Sequence, residues 1–115
     1  MKIRNINCTL SPAEQAIAGA EYAAAARHYQ ATAEIDGPRA RVMLRGERET
    51  LRRMLDRLIA RESRCCSFVR FDRTESAEGA EVLISVQEDV RAEIELDRLE
   101  RFVRGVFPGV TTAGD

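Results

Sequence analysis

Two runs of residues that alternate between apolar and polar side chains, at positions 31–36 and 39–45, constrain the fold more than any other feature. A period of two with one apolar face is typical of β-strands that pack on a core through one side. Gly37-Pro38 interrupts the alternation between the two runs. We therefore predict an antiparallel hairpin. The apolar positions are Ala31, Ala33 and Ile35 in the first run and Ala40, Val42 and Leu44 in the second.

A helical pattern and a second pair of strands follow this hairpin. The helix has apolar residues at the spacing of one helical face, and Glu49 and Arg53 are placed to form an ion pair one turn apart. Residues 68–73 then predict a strand, residues 74–79 a polar loop, and the alternation of Val82, Ile84 and Val86 another strand. The apolar face of the helix consists of Leu51, Met54, Leu55, Leu58 and Ile59.

Two further helices are predicted, one near each end of the chain. Ser11, Pro12 and Glu14 form the pattern of a capping box with proline at the first helical position, and we expect this helix to end near His28. The last helix is stopped by Pro108-Gly109, and its start is open between Asp97 and a position near Asp89. Its apolar residues are Leu99, Phe102, Val103 and Val106.

The order α-ββ-α-ββ-α predicts an α+β fold, a four-stranded antiparallel sheet with helices on one face. The 115 residues of the chain suffice for a single domain spanning 1–115, and we expect a frayed tail over 110–115. The other face of the sheet mixes apolar and charged side chains, which makes it a candidate homodimer surface. Its members include Glu34, Arg41, Met43, Arg45 and Leu83.

Composition places the chain among cytoplasmic globular proteins. Apolar residues make up 44% and charged residues 32%, and no apolar stretch approaches the roughly 20 residues of a membrane helix. No apolar segment typical of a secretory signal follows the basic residues at the start. The three cysteines show no disulfide spacing, so we expect reduced thiols and no membrane partner.

Charge is distributed unevenly along the chain. From Arg39 to Arg73 there are 11 arginines against five acidic residues, whereas the remainder has seven basic and 14 acidic residues. Such a balance indicates either an anionic partner or faces that attract each other within a monomer or across a dimer. The arginines of the second helix lack interleaved aromatic residues, so we expect no nucleic-acid partner.

The strongest chemical signal is the vicinal pair Cys65-Cys66 at the end of the second helix. Glu62 extends the apolar stripe of that helix one turn before them, so the three residues should cluster. A disulfide between adjacent cysteines is disfavoured, because their Cα atoms are about 3.8 Å apart. Two thiolates suit soft ions such as zinc, Cu(I) or a heavy metal. We therefore predict a metal site of Cys65, Cys66 and Glu62, for which Cys8, His28 or a second subunit are further candidate ligands.

Two alternative roles for the cysteine pair remain open. Both thiols can simply pack in the core of an interaction module, since free cysteine is among the most buried residue types. A redox sensor is the second alternative, and it requires an accessible thiol of low pKa. Arg61 and Arg64 favour the thiolate, whereas Glu62 and the helix C-terminus oppose it. No second group completes a reaction centre with Glu62, so an enzyme is the less favoured class.

The remaining polar and aromatic residues give weaker signals. His28 at the end of the first helix suits a capping or surface position. We expect Tyr22 and Tyr29 at the surface or in an interface. Phe68 and Phe71 are expected in the core.

The segment from Glu62 to Phe71 resembles the E-x-x-C-C-x-F-x-x-F signature of small bacterial domains, some of which are joined to MerR-type metal-responsive regulators. The likeness lies on Glu62, Cys65, Cys66, Phe68 and Phe71, and it extends loosely from the first helix to the last strand. It implies an α+β domain with a connection to heavy-metal or thiol biology. Ser67 stands where many relatives have Pro or Ala, and the segment 87–96 is longer than in that pattern.

Overall fold

The computed structural model describes residues 11–65, 68–95 and 97–112, with Cys65 described in its backbone only. Its regular elements alternate between helices and strand pairs along the chain. Short 3-10 segments occupy Ala26–His28, after the first helix, and Glu88–Glu93, before the last one. The elements are α1 (Pro12–Ala25), β1 (Tyr29–Asp36), β2 (Arg39–Gly46), α2 (Arg48–Cys65), β3 (Val69–Ser76), β4 (Gly79–Val86), α3 (Arg98–Val106) and β5 (Thr111–Thr112).

The described residues form one sheet of five strands in the order β3-β4-β2-β1-β5. The four predicted strands are present and pair antiparallel, which confirms the α+β class. The prediction of a four-stranded, wholly antiparallel sheet is nevertheless incomplete, because β5 pairs parallel with β1. The sheet is therefore mixed.

The fifth strand lies in the segment that was expected to fray. Gly109 has a φ of +84°, a left-handed conformation that lets the chain turn back toward the sheet. Val110 is then 4% exposed, and Thr112 is also buried and accepts a 2.9 Å hydrogen bond from Nη2 of Arg104. Residues 110–112 thus differ from the predicted frayed tail, because burial of Val110 and pairing with β1 hold them against the domain.

The second hairpin is tighter than its sequence indicated. The polar segment 74–79 was expected to be a loop, but β3 continues to Ser76 and β4 begins at Gly79. The polar residues fit a strand here because, in the part of the chain that the structure describes, β3 is an edge strand, where exposed side chains are tolerated. In the last helix, α3 begins directly after Asp97, one of the two predicted starts.

The core lies between one face of the sheet and the helices. Helix α2 lies against β2, β3 and β4, while α3 lies against β2 and α1. The capping box of α1 is confirmed, since the backbone N–H of Glu14 donates to Oγ of Ser11 at 3.1 Å and that of Ser11 to Oε1 of Glu14 at 2.8 Å. Fully buried members of this core include Val42, Leu51, Leu55, Leu58, Val82, Ile84 and Val103.

None of the helices in the described ranges combines the length and the apolar composition needed to cross a bilayer.

Candidate ligand site at the end of helix α2

Helix α2 carries Glu62 into the protein interior. The apolar stripe of this helix is buried through Leu58, and Glu62 follows four residues later on the same face. Its side chain is 5% exposed, and α2 ends at Cys65, three residues further on. The predicted position of Glu62 on the buried stripe is therefore confirmed. The side chain of Cys65 and all of Cys66 lie outside the described residues.

The buried carboxylate of Glu62 is hydrogen bonded to a tyrosine of helix α1. The hydroxyl of Tyr22 donates to Oε2 of Glu62 at 2.5 Å, so this bond joins α1 to α2. Tyr22 is 7% exposed, and the expectation that it lies at the surface or in an interface is wrong. Helical spacing contained the signal that was missed: Tyr22 follows Ala18 by four residues, and these two form the buried stripe of α1.

Arginines on the outer side of α2 join it to α1 a second time. Glu21 accepts hydrogen bonds of 2.8 Å from Nη2 of Arg57 and from Nη2 of Arg61. The guanidinium of Arg61 also lies 5.5 Å from the centre of the Tyr22 ring, a cation–π distance. Arg61 is thus directed toward α1, where an acidic residue of the N-terminal flank meets the basic middle of the chain. Attraction within the monomer accounts for this part of the uneven charge distribution.

The two tyrosines are both held in their protonated forms, for different reasons. Burial is the main cause that raises the pKa of Tyr22, and its hydrogen bond to the Glu62 carboxylate raises that pKa further. Burial alone raises the pKa of Tyr29 to about 12. The Tyr29 hydroxyl is buried without a hydrogen-bond partner among the described residues, and its ring meets that of Phe107 edge-on. Tyr22 is therefore a hydrogen-bond donor to Glu62 throughout the physiological pH range.

A cavity of about 240 Å³ opens beside Tyr22, between α1 and α2. Met54 and Leu58 supply an apolar wall, and Arg57 with Glu21 forms a charged rim. Tyr22, the residue that donates to Glu62, also lines this cavity. The cavity is thus apolar on the side of α2 and ionic where α2 meets α1.

Of the predicted metal ligands, the structure locates the side chain of Glu62. His28 is exposed in the 3-10 segment after α1, and Cys8 lies outside the described residues. Among the described side chains, no three His, Cys, Asp or Glu residues come together in a group that could hold a metal ion. A metal site that includes Glu62 would therefore need ligands from outside these described side chains.

Comparison of the chain with protein-family models, with curated proteins and with solved structures found no match. The resemblance of residues 62–71 to the E-x-x-C-C-x-F-x-x-F domains therefore stays a prediction. The function has to be inferred from the residues of the chain itself.

Proposed function

We propose that this protein is a non-enzymatic binding domain of the cytoplasm that holds a soft metal ion or another thiol-reactive ligand with Cys65 and Cys66. Glu62 assists, either as a third ligand or as a hydrogen-bonding neighbour of the bound group. The domain acts as a homodimer. Reduced thiols are the chemical basis of the assignment, since thiolates select soft ions and persist in a reducing compartment.

The supporting observation is the buried carboxylate one turn before the cysteine pair. Burying a carboxylate on an apolar stripe is costly unless hydrogen bonds compensate for lost hydration. Tyr22 supplies one such bond at 2.5 Å and fixes the position of the Glu62 carboxylate. Fixed, hydrogen-bonded acidic groups near thiolates are what a metal site uses to orient its ligands.

The same hydrogen bond supports a second candidate function. If the role of Glu62 is to tie α1 to α2 through Tyr22, then Cys65 and Cys66 need only fill space where α2 leads into β3. The protein would then be an interaction module, and replacing both cysteines by alanine would cost a few kcal/mol of stability without changing ligand uptake.

Titration of the reduced protein with Hg(II), followed by calorimetry, distinguishes the two candidates. We expect one ion per chain, and we expect the Cys65→Ser/Cys66→Ser variant to bind more than about tenfold more weakly, because it loses both soft ligands. Glu62→Gln keeps an acceptor for the Tyr22 hydroxyl but removes the charge, and should weaken binding by about tenfold.

Cys8→Ser is the background for both variants, because it removes the remaining thiol, a candidate ligand that can bind Hg(II) by itself, and leaves the pair intact. One ion per chain in the Cys8→Ser protein assigns the ion to the pair. Equal binding by wild type and the Cys65→Ser/Cys66→Ser variant would overturn the proposal and leave the interaction module as the better candidate.

A further inference from the structure

The outer face of the sheet is defined here as the side chains of β1 to β4 that point away from α2 and α3. The strand residues that alternate with them, such as Val42 and Ile84, are fully buried against the helices. Among the described residues, no helix or strand packs on this outer face. It exposes Met43, at 44%, beside charged neighbours, so it is neither an apolar patch nor a uniformly charged one.

Register places four of these side chains in a compact rectangle at the centre of the face. Arg41 of β2 pairs with Leu83 of β4, and Met43 of β2 pairs with Glu81 of β4. The two apolar residues therefore lie on one diagonal of the rectangle, and the two charged residues lie on the other. Arg41 and Glu81 also contact each other within the chain, at 3.4 Å between Nε and Oε2.

A two-fold axis along the apolar diagonal makes this rectangle complementary to itself. An in-plane two-fold brings Leu83 over its own copy and Met43 over its own copy. The same rotation carries Arg41 to the side of the axis where Glu81 lies, within about 3 Å of facing it, given typical strand spacing and rise. Each dimer then contains two apolar contacts flanked by two opposite-charge contacts. An axis along the charged diagonal would instead place like charges over each other.

The charges around the rectangle fit the same axis. Asp72, which pairs with Leu83, is carried over the region between Ser85 and Arg39 of the second copy. Arg70 lies on the axis at the edge of the sheet, and Asp72 of its own chain contacts it at 3.4 Å. Asp72 thus adds an opposite-charge contact at the periphery of the rectangle. Arg70 would face its own copy across the axis, and Asp72 of its own chain offsets that repulsion.

We infer that the occupant of the outer face is a second copy of this chain, related by a two-fold axis along the Leu83–Met43 diagonal. This inference specifies the homodimer of the proposed function. With strands about 4.8 Å apart, the diagonal is inclined by about 35° to the strands, so strands of the two copies cross at about 70°, near the orthogonal class of sheet packing. Four strands of this length present on the order of 500 Å² in projection, which is small, so the dimer should be weak and concentration-dependent.

Two charge-reversal variants test this arrangement through mixing. Arg41→Glu alone places acidic residues against Glu81 in both contacts of the dimer, and Glu81→Arg alone places arginines against Arg41. Each variant should therefore dimerise at least about tenfold more weakly than the wild type, a change of about 1.4 kcal/mol. An equimolar mixture should regain dimer of wild-type affinity, because both intermolecular contacts are again of opposite sign.

The mixture separates contacts between chains from contacts within a chain. The intrachain Arg41–Glu81 pair remains repulsive in each variant, so recovery on mixing can come only from contacts across the interface. Sedimentation equilibrium over a range of concentrations provides the readout. Met43→Asp places a charge on the apolar diagonal and should abolish dimerisation. Its control is Ile17→Asp, which should leave dimerisation unchanged, because Ile17 lies on α1 and is 63% exposed.

Three outcomes have defined meanings. Recovery in the mixture supports the diagonal two-fold. A dimer that withstands both reversals and Met43→Asp overturns the diagonal two-fold but leaves the homodimer in place. A wild type that stays monomeric at all concentrations overturns both, and neither result affects Hg(II) binding, which the cysteine variants test separately.

Discussion

At the scale of single residues, Glu62 is the side chain on which the functional interpretation depends. The sequence placed a carboxylate on the apolar stripe of α2, where it needs a partner or water because unpaired burial is costly. It did not identify Tyr22, which lies 40 residues away on a different helix. Tyr22 and Glu62 become neighbours only because α1 packs against α2. A need for a partner can thus be predicted locally, whereas its identity depends on tertiary structure.

The two tyrosines of the chain form a matched pair for measuring the hydrogen bond to Glu62. Tyr22→Phe removes a donor to a buried carboxylate, so the free energy of unfolding should fall by about 1.5–3 kcal/mol. Tyr29→Phe removes a buried hydroxyl that has no hydrogen-bond partner among the described residues, so it should be neutral or slightly stabilising. Urea unfolding of both variants measures the difference. Equal losses would contradict the role assigned to the Tyr22–Glu62 bond.

At the scale of elements, the sequence predicted correctly those features that depend on residues within one helical turn of each other. Ser11 and Glu14 marked the start of α1, and Glu49 and Arg53 form the predicted pair at 3.3 Å between Oε2 and Nε. The extension of β3 to Ser76 and the addition of β5 were missed. The pairing of β5 depends on backbone bonds to β1, a strand distant in sequence. The end of β3 pairs with the adjacent strand β4, but its polar residues gave no apolar alternation from which to predict a strand.

Gly79 shows how such a distant contact constrains one residue. It begins β4 with a φ of +156°, and a Cβ atom added there would lie 1.9 Å from the backbone oxygen of Leu44 in β2. Gly79→Ala should therefore force β2 and β4 apart.

We expect Gly79→Ala to lower the free energy of unfolding by on the order of 3–5 kcal/mol, the range of severe backbone clashes. Gly19→Ala is the control, since Gly19 lies within α1 with nothing within 4 Å of an added Cβ. That variant should raise stability by about 0.5–1 kcal/mol, because alanine favours helix. Thermal or urea unfolding compares the two. A Gly79→Ala protein as stable as the wild type would contradict the close approach of β2 and β4.

At the scale of the whole molecule, sequence predicted more of the fold than of the site. Periodicity and caps sufficed for the α+β class, since they report which faces are buried. The site depends on where two adjacent thiols point. The spacing of apolar residues along a helix does not decide whether a residue at the end of that helix faces the core or the solvent. Cys65 and Cys66 follow a buried carboxylate by three and four residues in the sequence, which is a reason to test thiol chemistry directly.

The most direct test is a count of reactive thiols in the folded Cys8→Ser protein, whose only cysteines are Cys65 and Cys66. A colorimetric disulfide reagent under native conditions should report two thiols per chain without added ion, and none after one equivalent of Hg(II). Thiols that react only once the protein is unfolded would contradict the binding site and identify both cysteines as core residues.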